Sequence, residues 1–326
     1  MAARGVARGE DGRVLAPFGR RRALVVSTRR VGAYVLLELA DRDGPQADPG
    51  QFHMLATVEG WGGGEDERPF LPRAFSPMGS SGGHLWFMLE DVGPGTHRLT
   101  TLRKGEALWV TGPLGKGFTL PDPPSAGSAP GGGADPALSG RAAPNADERR
   151  TGGRQPALGA LDGARRAILV AGGIGLPPIV AWSRALAGAH PYAVRGPDGI
   201  ADATLLLGFR DAAHALVAAS FAGAQLATDD GSAGHHGRVT ELLEAELDRD
   251  PHALVYACGP GPMLEAVRSL VCARGVPAQL ALESGMACGY GACFGCAVPL
   301  AAGGFARVCV DGPVMEAAEL AEVPAH

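Results

Sequence analysis

The sequence predicts an α+β multidomain chain with three parts. An antiparallel β-barrel comes first, an α/β domain built on a parallel sheet follows, and a small C-terminal domain holds a metal cluster. Three observations predict it. Short β-branched and aromatic runs fill the first third, strands alternate with helices in the second half, and four cysteines crowd the last forty residues in CGYGACFGC and VCVDGP. The boundaries this implies are 1–120 for the barrel, 121–162 for a linker, 163–280 for the α/β domain and 281–326 for the cluster domain.

The barrel rests on five runs: ALVVST from Ala23, YVLLELA from Tyr34, QFHMLATV from Gln51, HLWFMLE from His84 and ALWVTG from Ala107. Each is bounded by Gly, Pro or Asp, the signature of short strands joined by turns. Between Pro121 and Asp162 the texture changes. There are no aromatic residues there and Thr151 is the only β-branched one, so the segment cannot bury enough apolar surface to offset its chain entropy. It reads as a disordered linker or insertion.

Order resumes with RRAILVAGGIGLPPIVAWSRAL, a buried strand, a glycine turn and a helix. The strand TLLLGFR, the helical AAHALVAASF, the strand AQLAT, the helix RVTELLEAELD, the strand ALVYACG, the helix PMLEAVRSLVCARG and the strand AQLALE continue the alternation. That rhythm gives a parallel sheet covered by helices. Cys272, inside an apolar helical run, reads as a core thiol.

The cysteine spacing carries the most specific chemistry. CxxxxCxxC with a fourth Cys farther on is the plant-type arrangement for a 2Fe-2S cluster, with Cys288, Cys293, Cys296 and Cys309 as ligands. Gly289, Gly291 and Gly295 let the backbone wrap tightly, leaving bare amides to point at sulfur. Zinc knuckles more often show paired CxxC elements, and six Cys in 326 residues are too few for a disulfide framework.

Composition narrows the partners. A net charge of -5, from 29 basic and 34 acidic residues, argues against nucleic acid. No stretch approaches the roughly 18 uninterrupted apolar residues of a membrane helix, so a soluble, cytoplasmic protein is expected. Arg20, Arg21, Arg22 and Arg165, Arg166 read as solvated positions beside strands, and the N-terminal MAARGVARGEDGR as a frayed extension rather than a targeting peptide.

Several turns have the chemistry of cofactor sites. In Ala171-Gly172-Gly173-Ile174-Gly175-Leu176-Pro177-Pro178, between a buried strand and a helix, bare backbone and a helix N-terminus suit a pyrophosphate. Cys258-Gly259-Pro260-Gly261-Pro262-Met263 also joins a strand to a helix and would face the same crevice, which makes Cys258 a cofactor neighbour. Arg73-Ala74-Phe75-Ser76 offers a cation, a flat ring and a hydroxyl. Gly93-Pro94-Gly95-Thr96 reads as a bend able to meet a second phosphate. His235 and His236 read as solvated, without a carboxylate to orient either as an acid or base.

As an ordered set, Arg-x-Phe-Ser, the Gly-x-Gly-Thr bend, GPLGKGF, AGGIGLPP, ATDDGS, ACGPGPML and the cysteine tail resemble the ferredoxin reductase-like flavoproteins. They are most similar to the electron-transfer subunit of the NAD-dependent dihydroorotate dehydrogenases, from about Arg22 to Pro313 apart from the linker. The resemblance implies that the barrel binds FAD, the α/β domain binds NAD(H), and the 2Fe-2S cluster faces a separate FMN-containing catalytic subunit within a heterotetramer acting in pyrimidine biosynthesis. It places Arg73, Ala74, Phe75 and Ser76 against the flavin, with Ser76 near the reactive nitrogen and Gly95 and Thr96 by the FAD pyrophosphate. Gly172, Gly173, Gly175, Gly259 and Pro260 would line the NAD path, Cys258 would lie near the nicotinamide, and Asp229 and Asp230 would border it. Ser76 and Cys258 are the candidate catalytic residues.

Three departures stand out: the long linker after Leu120, an enlarged acidic segment from Trp61 to Arg68, and Gly285 where the family commonly has arginine. An NAD(P)H-ferredoxin reductase or hydrogenase-type electron-transfer subunit would share every motif, and a zinc-binding interaction protein is a more distant reading. Arg210 would suit a 2′-phosphate but Asp211 beside it would repel one, and the resemblance favours NAD.

Overall fold

A computed structural model describes residues 19–61, 69–120, 166–187 and 203–324. The expected linker at 121–162, the N-terminal extension and nearly all of the acidic segment after Trp61 lie outside the described residues. Seven strands form the first sheet: β1 (Arg21–Val31), β2 (Tyr34–Ala40), β3 (Phe52–Thr57), β4 (Arg73–Phe75), β5 (Gly79–Ser81), β6 (His84–Glu90) and β7 (Ala107–Leu114). They run β4-β3-β7-β1-β2-β6-β5, with every neighbouring pair antiparallel. Alternation makes it an amphipathic sheet. Leu37 and Leu39 on β2 and Leu85, Phe87 and Leu89 on β6 turn to one face and are buried together.

Three elements here were not expected from sequence. β4 and β5 are too short for periodicity to reveal. The Gly93–Thr96 segment is not a simple bend but opens the helix α1 (Pro94–Thr100), with Pro94 in its first turn. Thr96 caps it. Its Oγ1 accepts from the Val92 amide at 2.9 Å and the Gly93 amide at 3.0 Å.

The second sheet is parallel: β8 (Ala167–Gly172), β9 (Ala203–Phe209), β10 (Gln225–Thr228), β11 (His235–His236), β12 (Leu254–Cys258) and β13 (Ala278–Ala281). A small ribbon, β14 (Ala297–Pro299) with β15 (Phe305–Arg307), follows, and β16 (Val314–Glu316) returns to pair antiparallel with β13. The order is β11-β10-β9-β8-β12-β13-β16, so successive strands lie on opposite sides of β8. Ligand crevices form outside the carboxyl ends of strands at such a reversal. Helices α2 (Leu176–Leu186), α3 (Ala212–Ala215), α4 (Val239–Arg249) and α5 (Gly261–Arg274) cover the sheet.

The two sheets share their cores. Phe52, Met54 and Leu114 of the first pack with buried residues that include Cys296 and Cys309. Phe118 meets Trp182 and Tyr256 at ring-centroid distances of 5.8 Å each. Two readings are corrected. Cys272 is exposed, because α5 buries Leu264, Val267 and Val271 and the next residue turns outward. Arg21 is not a solvated flank: it holds Asp41 through both carboxylate oxygens, at 2.5 and 2.6 Å, and Arg166 pairs with the buried Glu246 at 3.0 Å. Phe118→Ala is expected to cost about 3–5 kcal/mol, read as a lowered melting temperature of the full chain. Cys272→Ala is expected to stay within about 0.5 kcal/mol.

Candidate functional site

A crevice of about 600 Å³ opens where the carboxyl ends of β8, β12 and β13 meet the edge of the first sheet. Arg73, Ala74, Phe75 and Ser76 form one wall and Thr96 lies beside them. The facing wall is built from Ile174, Pro177 and Pro178 of the glycine turn, Cys258 at the end of β12, and the stretch Leu282 to Ala287 after β13. Motifs scattered over two hundred residues thus converge on one space. The Ser76 hydroxyl has no protein partner among the described residues.

The glycines explain how the elements approach so closely. A Cβ on Gly175 would lie 2.3 Å from the Cys258 carbonyl oxygen, and one on Gly172 would lie 2.4 Å from Met263 Sδ. Gly259 faces the same methionine, and Pro260 caps α5 while packing on Gly172. Gly173 alone of this turn needs the left-handed region, at φ 50°. These glycines seat the turn against β12 and are not themselves on the crevice wall. Gly95 plays the same part for Arg73, whose Nε would be 2.7 Å from a Cβ there.

Asp229 and Asp230 stand elsewhere, exposed at the end of β10 and off the crevice wall. Asp230 Oδ1 accepts from the Ser232 hydroxyl at 2.6 Å and its amide at 2.9 Å, which hold the carboxyl below its ordinary value. Arg210 is engaged by Glu90 of the first sheet, and Asp211 caps α3 and accepts from His214. His235 has the carboxylate partner not foreseen from sequence, Glu241 Oε2 at 2.8 Å, yet both are exposed and outside the crevice. Sequence reasoning also passed over Glu283. It lines the crevice just beyond β13, where the strand-end rule would have pointed to it. The residue as a whole stands exposed at the crevice mouth, but desolvation by the walls raises its carboxyl to about 7. Burial, and then the Glu283 charge, push the Cys258 thiol well up, so it stays neutral.

The cysteine loop continues directly from the crevice wall. Met286 and Ala287 line the crevice and Cys288 is next. The four thiols fall into two pairs: Cys296 Sγ lies 3.2 Å from Cys309 Sγ, and Cys288 interacts with Cys293. The two pairs are not isolated from each other: burial, then Cys296 and lastly Cys288 push the Cys309 thiol up to about 12. Two thiolates per iron is the demand of a two-iron rhomb.

Backbone wrapping is as expected at Gly289 (φ 79°) and Gly291 (φ 84°). A Cβ on Gly289 would lie 2.8 Å from Met54 Cγ, which is how the loop reaches the first sheet. Gly295 differs: its conformation is ordinary and Phe294 takes the left-handed position instead, at φ 58°. The Gly295 amide donates to Cys293 Sγ at 3.4 Å and the Cys309 amide to Cys296 Sγ at 3.5 Å. At Cys288 burial acts upward, but the amides of Tyr290, Cys293 and Ala292 outweigh it and bring the thiol down to about 6. Amides aimed at sulfur are what a thiolate-bound cluster requires.

Residues 283–321 match the family model described as the iron-sulfur cluster binding domain of dihydroorotate dehydrogenase B. The dihydroorotate dehydrogenase B (NAD(+)) electron transfer subunit of Geobacillus thermodenitrificans is 34% identical over 93% of this chain and 99% of its own. This chain belongs to that family. The subunit of the same name from Desulforamulus reducens is 31% identical, over 82% and 84% of the two chains. Among solved structures, the NADH-dependent reduced ferredoxin-NADP oxidoreductase superposes with a TM-score of 0.63 at 19% identity, covering 91% of this chain and 89% of that one. The ferredoxin reductase of carbazole 1,9a-dioxygenase reaches 0.54 at 20% identity, over 83% and 70%. Those likenesses are of fold, and they fit the pairing of an antiparallel with a parallel sheet. As electron-transfer subunits, members of this family work beside a catalytic one.

The close approach of β12 to the glycine turn makes a direct test. Gly175→Ala is expected to lower the melting temperature of this electron-transfer subunit, at a cost of roughly 1–3 kcal/mol, because backbone must shift to admit the methyl. Gly285→Ala, where nothing lies within 4 Å of the added Cβ, is expected to melt like the parent.

Proposed function

We propose that this chain relays electrons from an FMN-containing dihydroorotate dehydrogenase catalytic subunit to NAD+, in pyrimidine biosynthesis, as part of a heterotetramer. The observation that carries this reading is continuity. One stretch of backbone, Leu282 to Cys288, is both crevice wall and the start of the cysteine loop. Segments 1–120, 163–280 and 281–326 serve as FAD-binding barrel, NAD-binding domain and cluster domain.

Cys288 with Cys293, and Cys296 with Cys309, would hold the two irons. Bound FAD supplies the exchange between single electrons and a hydride, which the cluster cannot make. Phase by phase, the residues position and shield. Arg73 and Gly95 offer a cation beside bare backbone for a pyrophosphate, Thr96 fixes the helix start next to it, and Phe75 and Ala74 wall the flat ring. Ser76 presents an uncommitted hydroxyl. Cys258, held neutral, closes the nicotinamide side without adding charge. Gly172, Gly173, Gly175, Gly259 and Pro260 seat the turn that NAD would cross, while Asp229 and Asp230, at the end of β10, stand off this wall. Arg210, engaged by Glu90, is not free to select a 2′-phosphate, which supports NAD over NADP.

The partner surface is read from exposure. Cys293 is exposed, and around it Tyr290 (46%), Phe294 (63%) and Val310 (37%) show apolar area that a docking protein would cover. The purified chain is expected to carry flavin and brown cluster absorbance and to oxidise NADH with artificial acceptors while leaving dihydroorotate untouched. Cys309→Ser is expected to lose cluster absorbance and keep the flavin bands. A colourless preparation, or dihydroorotate oxidation without a second subunit, would overturn the assignment.

A further inference from the structure

We propose that Arg307 is the positioning residue of the cysteine loop: it holds the two residues beside which backbone amides reach the thiols, and so sets the reduction potential of the cluster. This rests on the function proposed above. It makes the one-electron centre depend on a side chain that ligates nothing.

The base of Arg307 is fixed. It sits on β15, paired with Ala297 of β14, the residue after Cys296. Its carbonyl accepts from the Val310 amide at 2.9 Å and the Asp311 amide at 2.8 Å, closing a turn around Cys309. Its own amide donates to Asp311 Oδ2 at 2.8 Å, and the same oxygen lies 3.5 Å from Nε. From this base the guanidinium crosses to the other arm of the loop. Nη1 donates to the Gly291 carbonyl at 3.3 Å, and the group lies 5.2 Å from the Phe294 ring centroid. One side chain, rooted beside Cys309, thus holds the opposite arm at two points.

Those two points are where amides meet sulfur. Gly291 is at φ 84°, and its amide reaches the Cys309 thiol. A Cβ there would lie 2.7 Å from Val310 Cγ2 and 3.2 Å from Arg307 Nη1, so the guanidinium packs where only glycine fits. Phe294, at φ 58°, is the one non-glycine residue in the left-handed region among the described residues. The next amide, that of Gly295, donates to Cys293 Sγ at 3.4 Å. A strained backbone of this kind persists only where its surroundings hold it, and a guanidinium on the ring face is such a hold.

Charge and position act differently here. Asp311 offsets the Arg307 charge, and the two side chains are 34% and 41% exposed, so solvent screens what remains. The guanidinium contributes shape: a planar group that stacks on a ring while donating from its edge, which an ammonium does not reproduce. Amides aimed at cluster sulfur stabilise an added electron, so releasing them lowers the potential.

The test is a redox titration of the cluster, followed by electron paramagnetic resonance, in the full flavin- and cluster-loaded chain. The parent is compared with Arg307→Ala, Arg307→Lys and Phe294→Leu. At the parent's midpoint, Arg307→Ala is expected to lower the ratio of reduced to oxidised cluster about tenfold, a shift of about 59 mV to the negative for one electron. Arg307→Lys, which keeps the charge, is expected to shift as far, and Phe294→Leu in the same direction but less. A lysine variant at the parent's potential overturns the inference, because charge would then suffice. So does an Arg307→Ala protein whose potential is unmoved, whatever its melting temperature. If Arg307→Ala assembles no cluster, the lysine and leucine variants decide by the same shifts. A parent that holds a cluster beside unresponsive variants overturns this inference alone, whereas a parent that binds flavin and no cluster overturns the proposed function with it.

Discussion

The pairing of β16 with β13 is the constraint on which the site depends. β13 already lies parallel to β12, inside a sheet whose strands are buried. When Val314 returns antiparallel to Ala281, it closes a chain segment that left the sheet at Leu282 and carried with it all four thiols proposed as cluster ligands. The Leu282 amide donates to the Pro313 carbonyl at 2.8 Å, and the Lys116 amide of the first sheet's GPLGKGF run to the Gly312 carbonyl at 2.6 Å. Cys288 on the outgoing arm and Cys309 on the incoming one are brought together by this closure. Without it, three thiols in a loop would have no fourth.

The junction also sets which way the thiols face. Cys296 and Cys309 are each only 2% exposed and pack in the core shared by both sheets, whereas Cys293 opens to the surface. A cluster held by these thiols would meet protein at Cys296 and Cys309 and the surface at Cys293. On the solvent edge, Arg307 lies over the Phe294 ring at 5.2 Å, so even the exposed aromatic is positioned. Phe294 accepts a left-handed backbone at some cost in local strain, which is a reason to look for function at that residue.

Much of this was legible in the chain. The two paired strands Tyr34–Ala40 and His84–Glu90 coincide with their alternating runs because period-two burial is written directly in residue type. The strand and helix alternation after Arg166 was equally plain. What stayed hidden was tertiary. β4, β5 and β11 have two or three residues each, below any period, and exist only because a neighbouring strand offers its edge. Arg21 looked like a solvated basic patch because nothing local announces Asp41 across the sheet. Cys272 looked buried because its neighbours are, and one helical position separates Val271 from it. Among candidate site residues, cysteine spacing singled out the four thiols, while Glu283 hid in a strand end that sequence alone treats as a lead-in to the loop.

The charges near the crevice show a division of labour that no single motif reveals. Arg210 and His214, on the parallel-sheet side, are drawn to Glu90 on the antiparallel side, and Asp211 is taken up by capping α3 and by His214. Arg210 is itself largely exposed, and such a pair contributes little to stability, so the effect of these contacts is better sought in what they withhold. They remove a guanidinium and an imidazole from the reach of a dinucleotide and leave the crevice wall with few uncommitted polar groups, chiefly Ser76, Glu283 and Ser284. A wall stripped in this way offers chiefly apolar surface to whatever occupies the crevice.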